Sequence, residues 1–162
     1  MTMPGEDGGA ELVALPHTWR PLGVRVVGGV SGLALVVVVF AAWFGFSPTV
    51  RAQFSGLEIG TLIFLGLIAF GVWFALMRCR ISATEDRLVV VNGYRRREFE
   101  WAQIVSVSLR RGAPWATIDL SDGTTISAMG IQNADGQRGI VAARQLKALA
   151  AAKSAPDDGP HR

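Results

Sequence analysis

Two long stretches without a charged residue limit what this chain can fold into. Val26 to Val50 is a run of 25 uncharged residues, and its first part, Val26–Phe46, reads VVGGVSGLALVVVVFAAWFGF. As a helix rising about 1.5 Å per residue, these residues reach about 31 Å, which matches a hydrocarbon core about 30 Å thick. Twelve of them are Val, Leu or Phe. Each such side chain favours insertion by roughly 0.3 to 0.6 kcal/mol, so together they favour it by about 5 kcal/mol before glycine and end effects. The second stretch, Ile59–Met77 (IGTLIFLGLIAFGVWFALM), is 19 uncharged residues long. Two such runs in tandem, with no amphipathic face, predict a pair of membrane spans over 26–46 and 59–77 rather than buried core helices. A cleaved signal peptide fits the first run poorly, because the run is about twice the usual apolar length and a second span follows.

Composition agrees once it is divided between parts. The chain is 50% apolar and 18% charged with a mean hydropathy of +0.34, below the roughly 25% charge of soluble domains. Arg20 and Arg25 precede the first span, the connection Ser47–Glu58 holds Arg51 alone, and Arg78, Arg80 and Arg87 follow the second. The positive-inside rule therefore predicts a multi-pass protein of the cell (inner) membrane, with both termini cytoplasmic and the hairpin tip outside. Pro48 and Gly56 suit the turn at that tip. Neither span holds an ionisable residue, which argues against a pump or ion pathway built from this chain alone. Gly28 with Gly32, and Gly71 with Ala75, place small residues four apart, a spacing that lets helix backbones approach within the hairpin or between two copies. Trp43 and Phe46, and Trp73, suit interfacial anchoring or packing.

After Met77 the pattern becomes alternating and charged. Arg87–Val91 is a β-branched strand ending at the turn signal Asn92-Gly93, and Arg97–Trp101 and Ile104–Leu109 alternate in the same way. Trp115–Leu120 and Thr124–Gly130 form a hairpin whose register the apolar residues constrain. A two-residue turn at Asp122-Gly123 would set Ile126 against Asp119. A three-residue loop, Ser121–Gly123, pairs Ile118 with Ile126 and makes Gly123 the left-handed residue of a bulge. An amphipathic helix follows, capped by Asn133 or Asp135, with Gly139, Ala142, Ala143, Leu146, Leu149 and Ala150 on its inner side. The expected organisation is a flexible cytoplasmic N-terminus (1–23), a helix hairpin (24–77), a cytoplasmic β-rich unit of five to six strands closed by a C-terminal helix (78–153) that folds alone, and a disordered tail (154–162).

The run LVVVNGYRRREFEW, then Trp115 with WATIDLSDGTT, then AMGIQNADGQRG leading into the helix, resembles the small bacterial PH-like domains carried on two-helix membrane anchors in actinobacteria, the low molecular weight antigen type of PH domain. The resemblance covers about 70 of the 162 residues and rests on tryptophans and turns. It implies a PH-like superfold tethered to a membrane, and it implies no particular activity. The matched stretch is shorter than a full seven-stranded PH domain.

Residues 78–153 contain no histidine, no nucleophile paired with a base and no nucleotide-binding fingerprint, so a non-enzymatic role with no cofactor and no metal is expected. Cys79 is the single cysteine; at the membrane boundary it is open in principle to acylation. Trp101 and Trp115 read as core residues. Twelve Arg or Lys stand against seven Asp or Glu in residues 78–153, a net of +5, whereas the whole chain carries +3. Arg78, Arg80, Arg95, Arg96, Arg97, Arg110 and Arg111 are the candidate contacts to lipid headgroups or a protein partner, each able to gain about 1 kcal/mol from anionic lipid. The alternative for these arginines is that they enforce topology and protect an exposed strand edge. No nucleic-acid partner is expected, since an aromatic stacking series and a recognition helix are both missing. A protein that presents a binding domain at the inner face of the bilayer, with a homo-oligomer open to it, is the leading expectation. A small oligomeric channel or transporter subunit is the first alternative, and an accessory subunit of a membrane enzyme complex the second.

Overall fold

The computed structural model describes residues 13–154. In chain order the elements are β1 (His17–Trp19), α1 (Leu22–Gly45), α2 (Pro48–Arg51), α3 (Gly56–Arg78), β2 (Arg80–Ala83), β3 (Arg87–Asn92), β4 (Arg95–Glu100), β5 (Ile104–Ser108), β6 (Trp115–Leu120), β7 (Thr125–Gln132) and α4 (Gln137–Ser154). Single 3-10 turns at Trp101–Gln103 and Asn133–Asp135 lead into β5 and α4. The expected flexible tail from residue 155 onward, and the first 12 residues, lie outside the described part.

Helices α1 and α3 are 24 and 23 residues long, have no buried residue, and are long and apolar enough to cross a membrane. They pack antiparallel through the small residues of α1. The Trp73 indole N–H donates to the Gly28 carbonyl at 2.8 Å, and a Cβ on Gly32 would lie 3.1 Å from the same indole nitrogen. Trp73 therefore packs between the helices. At the tip, Ser47 caps α2 with Pro48 in its first turn. Ser55 and Glu58 form a reciprocal capping box at α3, with the Ser55 N–H 2.7 Å from the Glu58 carboxylate. Gly56, expected in the turn, is the first residue of α3.

Beyond the hairpin, seven antiparallel strands form two sheets, ordered β1-β2-β3-β4 and β5-β6-β7. Six of them, β2 to β7, lie within residues 78–153, as expected, and β1 adds a seventh from before the hairpin. His17–Trp19, placed above within a flexible N-terminus, pairs with β2 as His17 with Ala83 and Trp19 with Ile81. Trp19 is buried and its indole N–H donates to Gln145 of α4 at 3.1 Å. The hairpin is thus inserted between the first two strands of one domain, and residues 78–153 lack a strand of their own sheet. Ile81, Leu88, Ile118, Ile131 and Leu146 are fully buried and join both sheets to α4. The sheets meet closely where β7 crosses β2: a Cβ on Gly130 would lie 2.7 Å from the Ile81 nitrogen, so glycine is needed there.

The second sheet has the expected register. Ile118 pairs with Ile126, the Leu120 N–H donates to the Thr124 carbonyl at 2.8 Å, and Gly123 has φ of +81°. The first hairpin differs by one residue. Asn92 pairs with Arg95, so Gly93 and Tyr94 are the turn residues. A turn centred on Asn92-Gly93 would set Leu88 against Arg97, whereas the observed register sets it against Phe99 on the core side. Helix α4 buries Gly139, Ala143, Leu146, Leu149 and Ala150, the inner face read from the sequence. Trp101 is buried, with its indole N–H donating to the Thr84 and Glu85 carbonyls, both at 3.1 Å. Trp115 is only half-buried and sits at the end of its strand.

Candidate functional site: the rim between domain and hairpin

The domain grips both ends of the hairpin. Where α1 begins, Pro21 precedes the helix and offers no side-chain cap. Its place is taken by Asp135, whose carboxylate accepts from the Leu22 N–H at 3.1 Å and from the Gly23 N–H at 2.6 Å. Asp135, which with Asn133 is one of two residues expected to cap α4, caps α1 instead, satisfying amides that would otherwise be unpaired at the helix start. Where α3 ends, Cys79 is buried, and its sulfur accepts from the Gly93 N–H at 3.3 Å. The β3–β4 turn then lies along α3. Gly93, with φ of +61°, would place a Cβ 3.4 Å from that of Ala75, and the Tyr94 hydroxyl donates to the Gly71 carbonyl at 2.6 Å. Gly71 and Ala75 therefore face the domain, while Gly28 and Gly32 face α3. Burial of the Cys79 thiol in this joint leaves no room for an acyl chain.

The candidate arginines do not form one cluster. Arg78 stacks over Phe74 of its own helix, 5.4 Å from the ring centroid. Arg80 begins β2 where β7 crosses it. The triplet on β4 is split by strand alternation. Arg96 points to the outer face and pairs with Glu98 at 2.6 Å, while Arg87 pairs with the same carboxylate at 2.8 Å. The hydrogen bond from Arg87, then the charge of Arg96, hold the Glu98 carboxyl below the usual range. Arg95 and Arg97 stand on the other face. They line a recess of about 300 Å³ with Asn92, Thr125, Ser127 and Met129, and no ion pair involves either guanidinium among the described residues. Asn92 anchors the recess, its amide donating to the Ser127 carbonyl and accepting from the Met129 N–H at 3.1 Å. Arg110 and Arg111 lie in the exposed β5–β6 loop and line no part of it.

On β6, the Asp119 carboxylate accepts from the Ser106 hydroxyl and from the Thr125 hydroxyl at 2.7 Å. These hydrogen bonds hold its carboxyl below the usual aspartate range, with a smaller contribution from the charge of Arg110. Among the described residues, no group of three His, Cys, Asp or Glu side chains is placed to hold a metal ion. The signals missed in the sequence, Asp135, Tyr94, Asn92 and Trp19, all act on partners 23 or more positions away.

Sheets of four and three antiparallel strands closed by a C-terminal helix define a PH-like domain. Residues 78–148 match the family described as Bacterial PH domain, and this segment is one. The chain is also similar to uncharacterised proteins of Mycobacterium tuberculosis and Mycobacterium bovis, 29% identical over 141 residues, covering 87% of this chain and 89% of theirs. No solved structure matches it. The matched segment starts after the hairpin, so β1 lies outside it.

Proposed function

We propose that this protein is a non-enzymatic membrane-anchored binding module, whose hairpin spans the inner membrane and fixes a PH-like domain against the cytoplasmic leaflet. The observation that carries this reading is the insertion of α1–α3 between β1 and β2. Pairing of Trp19 with Ile81 requires both ends of the hairpin to lie on one side of the bilayer, and arginine placement favours the cytoplasmic side. The Tyr94 contact with Gly71 lies about two helical turns along α3 from Arg78, so the β3–β4 turn is on the side of the domain that faces the bilayer. Arg95 and Arg97 next to it are the binding groups, recognising a phosphate-bearing headgroup or an acidic protein surface there. Gly28 and Gly32 are already used within the hairpin, which weighs against a homo-oligomeric channel built on them.

The test is protease protection of full-length protein in sealed inverted membrane vesicles. Cleavage after residue 13 and within 110–113 from the cytoplasmic side, with residues 47–58 protected, is the expected result. Cleavage of 47–58 from that same side would overturn the reading.

A further inference from the structure

A groove of about 610 Å³ lies between β1, the start of α1 and α4. It lies beside α1, apart from the recess that Arg95 and Arg97 line beneath the β3–β4 turn. Three guanidiniums border it, each from a different part of the fold: Arg20 after β1, Arg25 in the first turn of α1 and Arg138 in the first turn of α4. None has an ion-pair partner among the described residues. The one carboxylate in the wall, Asp135, is occupied by the Leu22 and Gly23 amides. Leu22 and Val141, also in the wall, leave 43% and 47% of their surface exposed. Leu22 lies one helical turn before Val26, where the uncharged run begins.

We infer that this groove seats one anionic membrane lipid, its phosphate held among Arg20, Arg25 and Arg138 and the first part of an acyl chain lying along Leu22 and Val141. The inference rests on the reading that the hairpin spans the membrane. A soluble anion would use the arginines and leave both apolar side chains in water. An amphiphile entering sideways from the leaflet covers both, and the groove opens at the depth where a lipid changes from phosphate to hydrocarbon. An acidic peptide would satisfy the charges but has no reason to lie at that depth.

The experiment uses full-length protein, delipidated in detergent and offered either phosphatidylglycerol or phosphatidylcholine of the same chain length, with retained lipid counted by native mass spectrometry. Selective retention of phosphatidylglycerol is expected. Arg25→Gln and Arg138→Gln should each lower it about fivefold, while Arg144→Gln, an exposed arginine of α4 outside the groove, should leave it unchanged. Val141→Gln, at an exposed side chain, should lower it about threefold by removing apolar contact, and serves if an arginine variant fails to fold. Retention equal to wild type in the groove variants would overturn the inference. So would full displacement of the lipid by glycerol phosphate, which would make the site one for a soluble anion. Failure of the anchoring reading is a separate result: such a chain would be released from membranes at alkaline pH, whereas a chain that merely lacks this lipid site would stay embedded.

Discussion

The two sheets are both antiparallel but are assembled in different ways. Strands β5, β6 and β7 lie within Ile104–Gln132 and are joined by short loops. Strand β1 must find β2 across the whole hairpin, with Trp19 opposite a residue 62 positions later. The local sheet closes on its own pattern of alternation. The interrupted sheet depends on contacts from elsewhere: Trp19 to Gln145, Asn92 to β7, and Asp135 to the start of α1. Its stability and the geometry of the helix hairpin are therefore one property.

The sharpest way to break this contrast is to separate the parts. Residues 78–153 alone lack β1 and expose Ile81 and Ala83 along the edge of β2, so this fragment should unfold without a cooperative transition. A chain in which Arg20 is joined to Arg80 through Asn-Gly keeps the Trp19–Ile81 register and should melt cooperatively by circular dichroism. Equal behaviour of the two would show that β1 is dispensable.

Trp19→Ala should cost about 3 kcal/mol in denaturant unfolding of the spliced chain, because it removes a buried aromatic ring and its bond to α4. Gly130→Val should cost about 2 to 3 kcal/mol, since its Cβ meets backbone of Arg80 and Ile81 that cannot rotate away. Asp135→Ala in the full chain should cost about 1 kcal/mol through the lost cap, and should speed hydrogen exchange at Leu22 and Gly23 while leaving β6 unchanged.

The smallest effect belongs to the local sheet. The Asp119 carboxyl is held below its ordinary value by Ser106 and Thr125. Its contribution is therefore complete above the unfolded aspartate pKa, near 3.9, and is lost as pH falls through the lower folded value. Asp119→Asn should flatten the dependence of the unfolding midpoint on pH below about 4. A variant as acid-sensitive as the wild type would show that other carboxylates govern that range.

The same contrast explains what could be read from the sequence. The apolar runs and the Ile118–Ile126 register follow from neighbours in the chain, where length and alternation decide the outcome. Residues 17–19, HTW, are too few to show alternation and run into a proline and a helix, so nothing local marks them as a strand. Asn92 carries a turn signal, yet its amide is used by β7 and the turn shifts to Gly93-Tyr94. Asp135 sits where a helix cap is expected, but the helix it serves begins 113 positions earlier. For the arginines, composition gives the net charge of the unit. Only strand alternation and ion pairing separate Arg95 and Arg97 from Arg96.

The insertion of the hairpin also bears on synthesis. On the reading that the hairpin spans the membrane, strand β1 leaves the ribosome before either helix and has no partner until the chain has crossed the bilayer and returned. If the second helix fails to insert, β1 and β2 end in different compartments, and Ile81, Leu88 and the α4 face lose the strand that covers their edge. On that reading the folded domain records that both crossings succeeded, and a chain with only one crossing would present exposed strand and core surface to the proteases that clear faulty membrane proteins.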